Sequence, residues 1–368
     1  MNKMTACIYS AFLCTACTAN KVEDSGELGD TADSLPIETA APVVTANSTY
    51  TVLIDEDVEY AQGLAHDATS TSPFAIPLYL DVYYPDNDVT DRPVHMFIHG
   101  GGFTGGSKTK PEIVEMANYY ASRGWVFASI DYRTVEELCD SEAMPPCESK
   151  LTDMTPEEMM SFYKGIVPEE WMETSMVGSE NLKNLQQALA MYAAQRDAKA
   201  ALRWIVGNAD TYGLNKDFIT VGGASAGAIT TVALGISDAS DFRDEISVTD
   251  DPTLSSTNLD ETYDVKSLIY FWGSNIKLEV LEMAYGVNRY DSEDPELFMA
   301  HGTDDRNPTT AFSEALELQE IYGSFGIYNE LVSLEGEDHG AWSAEVDGKG
   351  LFEMSFDFIV ARQGLNVE

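Results

Sequence analysis

The chain has 368 residues, 44% of them hydrophobic, and sets 21 Lys and Arg against 62 Asp and Glu for a formal net charge of −41. That length can bury a large core in one domain or two, and negative charge dispersed along the whole chain repels nucleic acid and anionic membrane surfaces, so neither is expected as a partner. No clustered Cys/His spacing offers four ligands, so the sequence predicts no metal site, and nothing in it calls for a cofactor.

In chain order, Met1-Asn2-Lys3 supplies one positive charge and Met4 to Ala16 is apolar or small. This is the pattern of a signal-peptide hydrophobic region, too short to span a bilayer, and it predicts export. The run Leu13-Cys14-Thr15-Ala16-Cys17 is similar to a bacterial lipoprotein processing site, with Cys14 where leucine is more usual. On that similarity Cys17 is the lipidation candidate and the protein is anchored at the bacterial cell envelope; an ordinary secretory cleavage nearby is the alternative. Residues 18–47 are acidic and rich in Ser, Thr, Ala and Gly, which reads as a disordered tether ahead of a folded domain over 48–368.

Strand-like runs recur at Tyr50–Leu53, Pro77–Tyr84, Val94–His99, Trp125–Asp131, Asp217–Gly222, Lys266–Trp272, Glu296–His301 and Tyr328–Leu334. Most later pairs are separated by helical runs, which predicts an α/β fold: a mostly parallel central sheet with helices on both faces and an antiparallel early pair. Ligand-binding loops then gather at the carboxyl ends of the strands. Residues 134–183 break the rhythm, being Met-rich and acidic with no evident strand. They read as an irregular insertion over the active-site edge. Cys139 and Cys147 flank Met144-Pro145-Pro146 within it and form a disulfide candidate in an oxidising compartment.

Four segments carry chemistry. The buried run ending at His99 enters Gly100-Gly101-Gly102, which a strand cannot use for packing but a loop can use to aim bare amides at a ligand. Gly223-Ala224-Ser225-Ala226-Gly227 follows a β-branched strand and precedes a helix-compatible run, the setting of a nucleophile elbow. A serine hydroxyl needs a base within reach and a group that orients the base. In this fold the chain order is serine, acid, histidine, and of the five histidines only His339 stands in a loop after the last strand. The acid then falls in the turn His301 to Pro308, where Asp305 is favoured for its reach and Asp304 is assigned to turn amides, with the choice between them open. Amides of Gly101, Gly102 and Ala226 are the candidate oxyanion hole.

Taken together, His99-Gly-Gly-Gly-Phe-Thr-Gly-Gly-Ser107, Phe127–Arg133, Arg196–Trp204, the elbow, His301–Asp305 and Glu335–Gly340 resemble an α/β-hydrolase carboxylesterase over roughly residues 50 to 365. The resemblance is to the hormone-sensitive-lipase-like and feruloyl-esterase-like groups with an HGGG oxyanion motif. It implies hydrolysis of small or medium carboxylic esters, acylated polysaccharide among them, through an acyl-enzyme on Ser225, with His339 as base and Asp305 orienting it. Arg306 stands where these groups usually have proline after the acid. Amide cleavage, as by a formamidase or peptidase, is the alternative within enzymes, and a non-catalytic binding or adhesion protein the alternative outside them.

Overall fold

The computed structural model describes residues 40–66, 72–138, 152–275, 277–286 and 288–368, and residues 41–368 form a folded unit. Its strands are β1 (Val43–Val44), β2 (Val52–Ala65), β3 (Phe74–Pro85), β4 (Arg92–Ile98), β5 (Val126–Ile130), β6 (Leu214–Ala224), β7 (Val265–Phe271), β8 (Glu296–Gly302), β9 (Asn329–Leu334), β10 (Glu345–Val346), β11 (Lys349–Gly350) and β12 (Asn366–Val367). The described helices are α1 (Pro111–Ala121), α2 (Val135–Leu138), α3 (Pro156–Phe162), α4 (Glu169–Gly178), α5 (Leu182–Gly207), α6 (Ala209–Tyr212), α7 (Ala226–Ile236), α8 (Glu279–Tyr285), α9 (Phe312–Ser324) and α10 (Leu351–Gln363).

Eight strands make one sheet in the order β2-β3-β5-β4-β6-β7-β8-β9. The pairs β2/β3 and β3/β5 are antiparallel and the rest parallel. All eight strand-like runs of the sequence are present. Every residue of β4 and β5 is buried, as expected of parallel strands covered on both sides. Alternation sorts the two faces: Met96 and Ile98 join a core with α5, α7 and α9, whereas Phe97 joins one with α1 and α10. The parallel register brings Ile98 beside Gly223, Ala224 beside Phe271 and Gly302 beside Leu334, so the loops that follow emerge together.

Three expectations are corrected. The tether drawn over 18–47 runs too far, because Val43 and Val44 pair in parallel with Asn366 and Val367 and Val44 is wholly buried; a strand pair with one buried valine belongs to the fold. The strand expected at Tyr50–Leu53 is β2, 14 residues long rather than four. Its Asp55-Glu56-Asp57 stretch shows no apolar run because it bulges at the sheet edge, where Lys108 Nζ holds Asp57 at 2.8 Å and Asp81 at 2.7 Å. Over its described residues, the insertion 134–183 is helical rather than irregular, and Phe162, Tyr163, Trp171 and Met172 are buried in the core. All five cysteines lie outside the described residues, including the disulfide candidates Cys139 and Cys147 and the lipidation candidate Cys17.

A buried ion pair ties the insertion's start to α5. Arg133 donates through Nη2 to Asp197 Oδ1 at 2.7 Å and through Nε to Oδ2 at 2.9 Å, and its own N–H reaches Oδ2 at 2.8 Å. Nη1 takes the Leu64 carbonyl at 2.9 Å, so the buried charge is fully engaged, which is the condition for such a pair to be tolerated.

His95 has the opposite character. Its ring meets Tyr120 and Phe127 at centroid distances of 4.7 and 5.0 Å, and neither nitrogen has a partner among the described residues. Burial pushes its pKa down to about 3, so between that value and the ordinary 6.5 the unfolded chain binds a proton that the folded one refuses. Its contribution is therefore complete above pH 6.5 and is lost as pH falls toward 3, on the order of 5 kcal/mol in all. His95→Leu should make urea-unfolding free energy fall less steeply between pH 6.5 and 4 than in the parent protein; equal slopes would refute the assignment.

Candidate active site

Where β6 turns into α7, Ser225 adopts φ 55° and ψ −120°. A non-glycine residue in this region is strained by about 1–3 kcal/mol and persists only where its surroundings hold it. Here they do. The Ser225 N–H donates to the Phe271 carbonyl at 2.9 Å, and its carbonyl accepts from Ala228 and Ile229 at 3.0 and 3.1 Å as the helix begins. The turn must also lie tight against β4: a Cβ on Gly227 would stand 2.0 Å from the Ile98 carbonyl oxygen.

The hydroxyl so presented meets His339. Ser225 Oγ lies 3.0 Å from His339 Nε2, and His339 Nδ1 lies 2.8 Å from Asp305 Oδ2. Asp305's side chain is fully buried and His339's is 27% exposed, so the chain runs from the interior outward. With the carboxylate ionised, Nδ1 carries the proton and Nε2 is free to accept from the serine. Asp338 fixes the histidine loop by accepting from the N–H groups of His339 at 2.8 Å and Arg306 at 3.0 Å. Trp272, itself at φ 39°, sets its ring edge-on to His339 at 6.5 Å.

Asp305 has further donors. Asn307 N–H reaches Oδ1 at 2.9 Å, and the Thr310 hydroxyl reaches Oδ2 at 3.0 Å. His301 Nε2 stands 3.1 Å from the same Oδ2 and 2.7 Å from the Thr310 carbonyl. Burial lowers the His301 pKa, so this second imidazole is neutral and its one proton sits between two oxygens. Asp304 is exposed, and it is Asp305 rather than Asp304 that accepts from a turn amide. The sequence placed His301 at the end of a strand and saw no role for Thr310. Only folding the turn back on itself brings them to the carboxylate.

The glycine loop lies against the elbow, since a Cβ on Gly100 would stand 2.5 Å from the Ala224 carbonyl and 3.0 Å from Ser225 Cβ. Gly101, Gly102 and Phe103 follow with φ of 150°, 62° and 58°. The N–H groups of Gly101 and Gly102 have no acceptor among the described residues. Ala226 is the first residue of α7, where helical N–H groups are unpaired by construction. The loop's carbonyls, by contrast, are held: Lys110 Nζ on Gly100 at 2.8 Å, Thr104 N–H on Gly101 at 3.0 Å, and Gln187 Nε2 on Gly102 at 2.7 Å. The start of the insertion and the helix that follows it both take part, as Thr134 Oγ1 and Glu136 N–H bind the Thr104 carbonyl and α5 provides Gln187.

A mostly parallel sheet with helices on both faces, a serine elbow, and a histidine and buried carboxylate converging on it define an α/β-hydrolase. The sequence matches the BD-FAE family model over residues 80–149 and 157–276. The chain belongs to that family, an α/β-hydrolase esterase family, and is an enzyme that hydrolyses carboxylic esters by serine chemistry. No curated protein matches it in sequence. Among solved structures it is similar to a truncated carbohydrate esterase from gut microbiota, at 16% identity and TM-score 0.51 over 87% of this chain and 99% of that one. It is also similar to the thermophilic esterase Est2 of the Planctomycetes species Thermogutta terrifontis with propionate bound, at 21% identity and TM-score 0.51 over 78% and 90%. The same esterase phosphorylated by paraoxon matches at 21% identity and TM-score 0.50 over 82% and 94%. At these identities the likeness establishes the fold.

Gly227→Ala should push the elbow off β4 and displace the hydroxyl from His339. Turnover of p-nitrophenyl acetate is expected to fall on the order of 10²-fold, as a misplacement near 1 Å does, with a stability loss of about 1–3 kcal/mol. Unchanged turnover would show that the close approach does not position the serine.

Proposed function

We propose that Ser225 is the nucleophile, His339 the general base and then acid, Asp305 the orienting carboxylate, and the N–H groups of Gly101, Gly102 and Ala226 the oxyanion hole. The observation that carries this reading is the unbroken chain of contacts from Ser225 Oγ through His339 to Asp305, at 3.0 and 2.8 Å. Ser225 Oγ attacks the ester carbonyl while Nε2 takes its proton, and negative charge grows on the former carbonyl oxygen in front of the three amides. Collapse expels the alcohol, which takes the proton from Nε2, and leaves the acyl group on Ser225. Water, deprotonated by the same nitrogen, then attacks the acyl-enzyme, and the acid leaves as Nε2 returns the proton to Ser225 Oγ. Asp305 stays ionised throughout and stabilises the imidazolium.

The substrates we infer are small or medium carboxylic esters, including acyl groups on carbohydrate polymers. Support comes from a neighbour that is a carbohydrate esterase and from another crystallised with propionate and butyrate. Export belongs to the same reading and rests on the apolar run Met4 to Ala16, with Cys17 as the lipidated residue.

A fluorophosphonate probe should label Ser225 alone, and Ser225→Ala should abolish ester turnover. Asp305→Asn should lower kcat on the order of 10⁴-fold through the wrong histidine tautomer. In a panel from acetyl to decanoyl and feruloyl esters, with an aryl formamide and a prolyl peptide alongside, the short and medium esters should turn over fastest. Label on another serine would overturn the assignment, and preference for the amides would move the enzyme to another bond class. Separately, radiolabelled palmitate should enter the expressed protein and be lost in Cys17→Ser; equal labelling of the two would reject the anchor.

A further inference from the structure

The Gly100 carbonyl oxygen receives more than the loop's stability demands. Lys110, the residue before α1, places Nζ 2.8 Å from it, and His99 Nδ1 lies 3.0 Å away. Burial lowers the His99 pKa to about 4, so the ring is neutral, and its proton sits on Nδ1 toward that oxygen, since Nε2 has only Asp131, at 3.6 Å. Two donors, one of them an ammonium, therefore converge on a single carbonyl.

That carbonyl shares its peptide unit with the N–H of Gly101. Hydrogen bonds in series polarise one another, so a donor on the amide oxygen draws electron density from the nitrogen and strengthens the N–H as a donor in turn. A charged donor does so more than a neutral one. The next two carbonyls of the loop are held by a backbone amide and by the Gln187 carboxamide, both neutral. Of the three, the Gly100–Gly101 amide alone carries a cation, and its N–H is one that has no acceptor among the described residues.

We propose that Lys110 is a positioning residue for ester hydrolysis, its ammonium orienting and polarising the Gly100–Gly101 amide so that Gly101 N–H binds the transition-state oxyanion more tightly. The proposal rests on the proposed function, in which Ser225 is the nucleophile and Gly101 N–H an oxyanion donor. Lys110 itself touches no reacting atom. A lysine that served only to anchor the loop would act on stability and substrate binding alike. One that polarises an oxyanion donor acts when charge develops, and so appears in kcat.

Lys110→Met, Lys110→Gln and Lys110→Arg separate these cases with p-nitrophenyl butyrate as substrate and a butyl trifluoromethyl ketone, which adds to the active serine as a hemiketal oxyanion. Lys110→Met should lose about tenfold in kcat, a fraction of what deleting one oxyanion donor costs, with KM within about twofold of the parent. Ketone affinity should fall by the same factor as kcat/KM, while affinity for butyrate, the product, stays level. Gln, a neutral donor, should recover part of the loss and Arg most of it. An unchanged kcat in Lys110→Met, or a kcat loss without a matching loss of ketone affinity, would overturn the proposal. Failure of the underlying assignment looks different: the parent protein would then give no fluorine NMR signal for a hemiketal that disappears in Ser225→Ala.

Discussion

Ser225 holds a backbone conformation that residues with a side chain avoid, and the surrounding strands are arranged so that it cannot relax. The end of β7 takes its N–H, the first turn of α7 takes its carbonyl, and β4 lies so near that position 227 has no room for a methyl group. The same closeness presses the glycine loop after β4 against the serine from one side. On the other, parallel pairing through β7 and β8 to β9 delivers the Asp305 turn and the His339 loop to the same end of the sheet. The chemistry is thus a consequence of strand register: shift one strand by a residue and the serine, the imidazole and the bare amides face different directions.

Charge is distributed around that point with a consistent sense. Among the described residues no lysine or arginine pairs with the buried carboxylate of Asp305, which is held by the His339 ring, the Thr310 hydroxyl, the Asn307 amide and the ring of His301. That leaves it able to stabilise a proton arriving on His339, which an adjacent lysine or arginine would oppose. A positive charge stands instead at the glycine loop, where Lys110 Nζ holds the Gly100 carbonyl; in the proposed reaction this is the side on which negative charge develops. Preorganised dipoles of this kind need no reorientation at the transition state.

Much of this was legible in the sequence. Eight strands announce themselves because seven are apolar runs bounded by turns, and the serine, acid and histidine follow from their order along those strands. What the sequence hid has a physical reason in each case. The start of β2 is a bulged edge whose Asp55, Glu56 and Asp57 look like loop, since edge positions need no apolar side chains. Met159, Trp171 and Met172 sit in a stretch without regular spacing, yet fill a core whose other half comes from α5 and beyond. Val43 and Val44 are too few to signal a strand, and their partner is at the far end of the chain. The holders of the site, Lys110, Gln187, His301 and Thr310, are polar residues whose roles exist only as distances to groups that folding brings near.

The pairing of Val44 with Val367 also brings the two ends of the folded unit side by side. Residues 45 and 49 hydrogen-bond the carbonyls of Arg123 and Ser122, in the loop that leads into β5. Both ends of the folded unit therefore lie at the side where the parallel strands begin, a sheet's length away from Ser225 and from the loops that meet it.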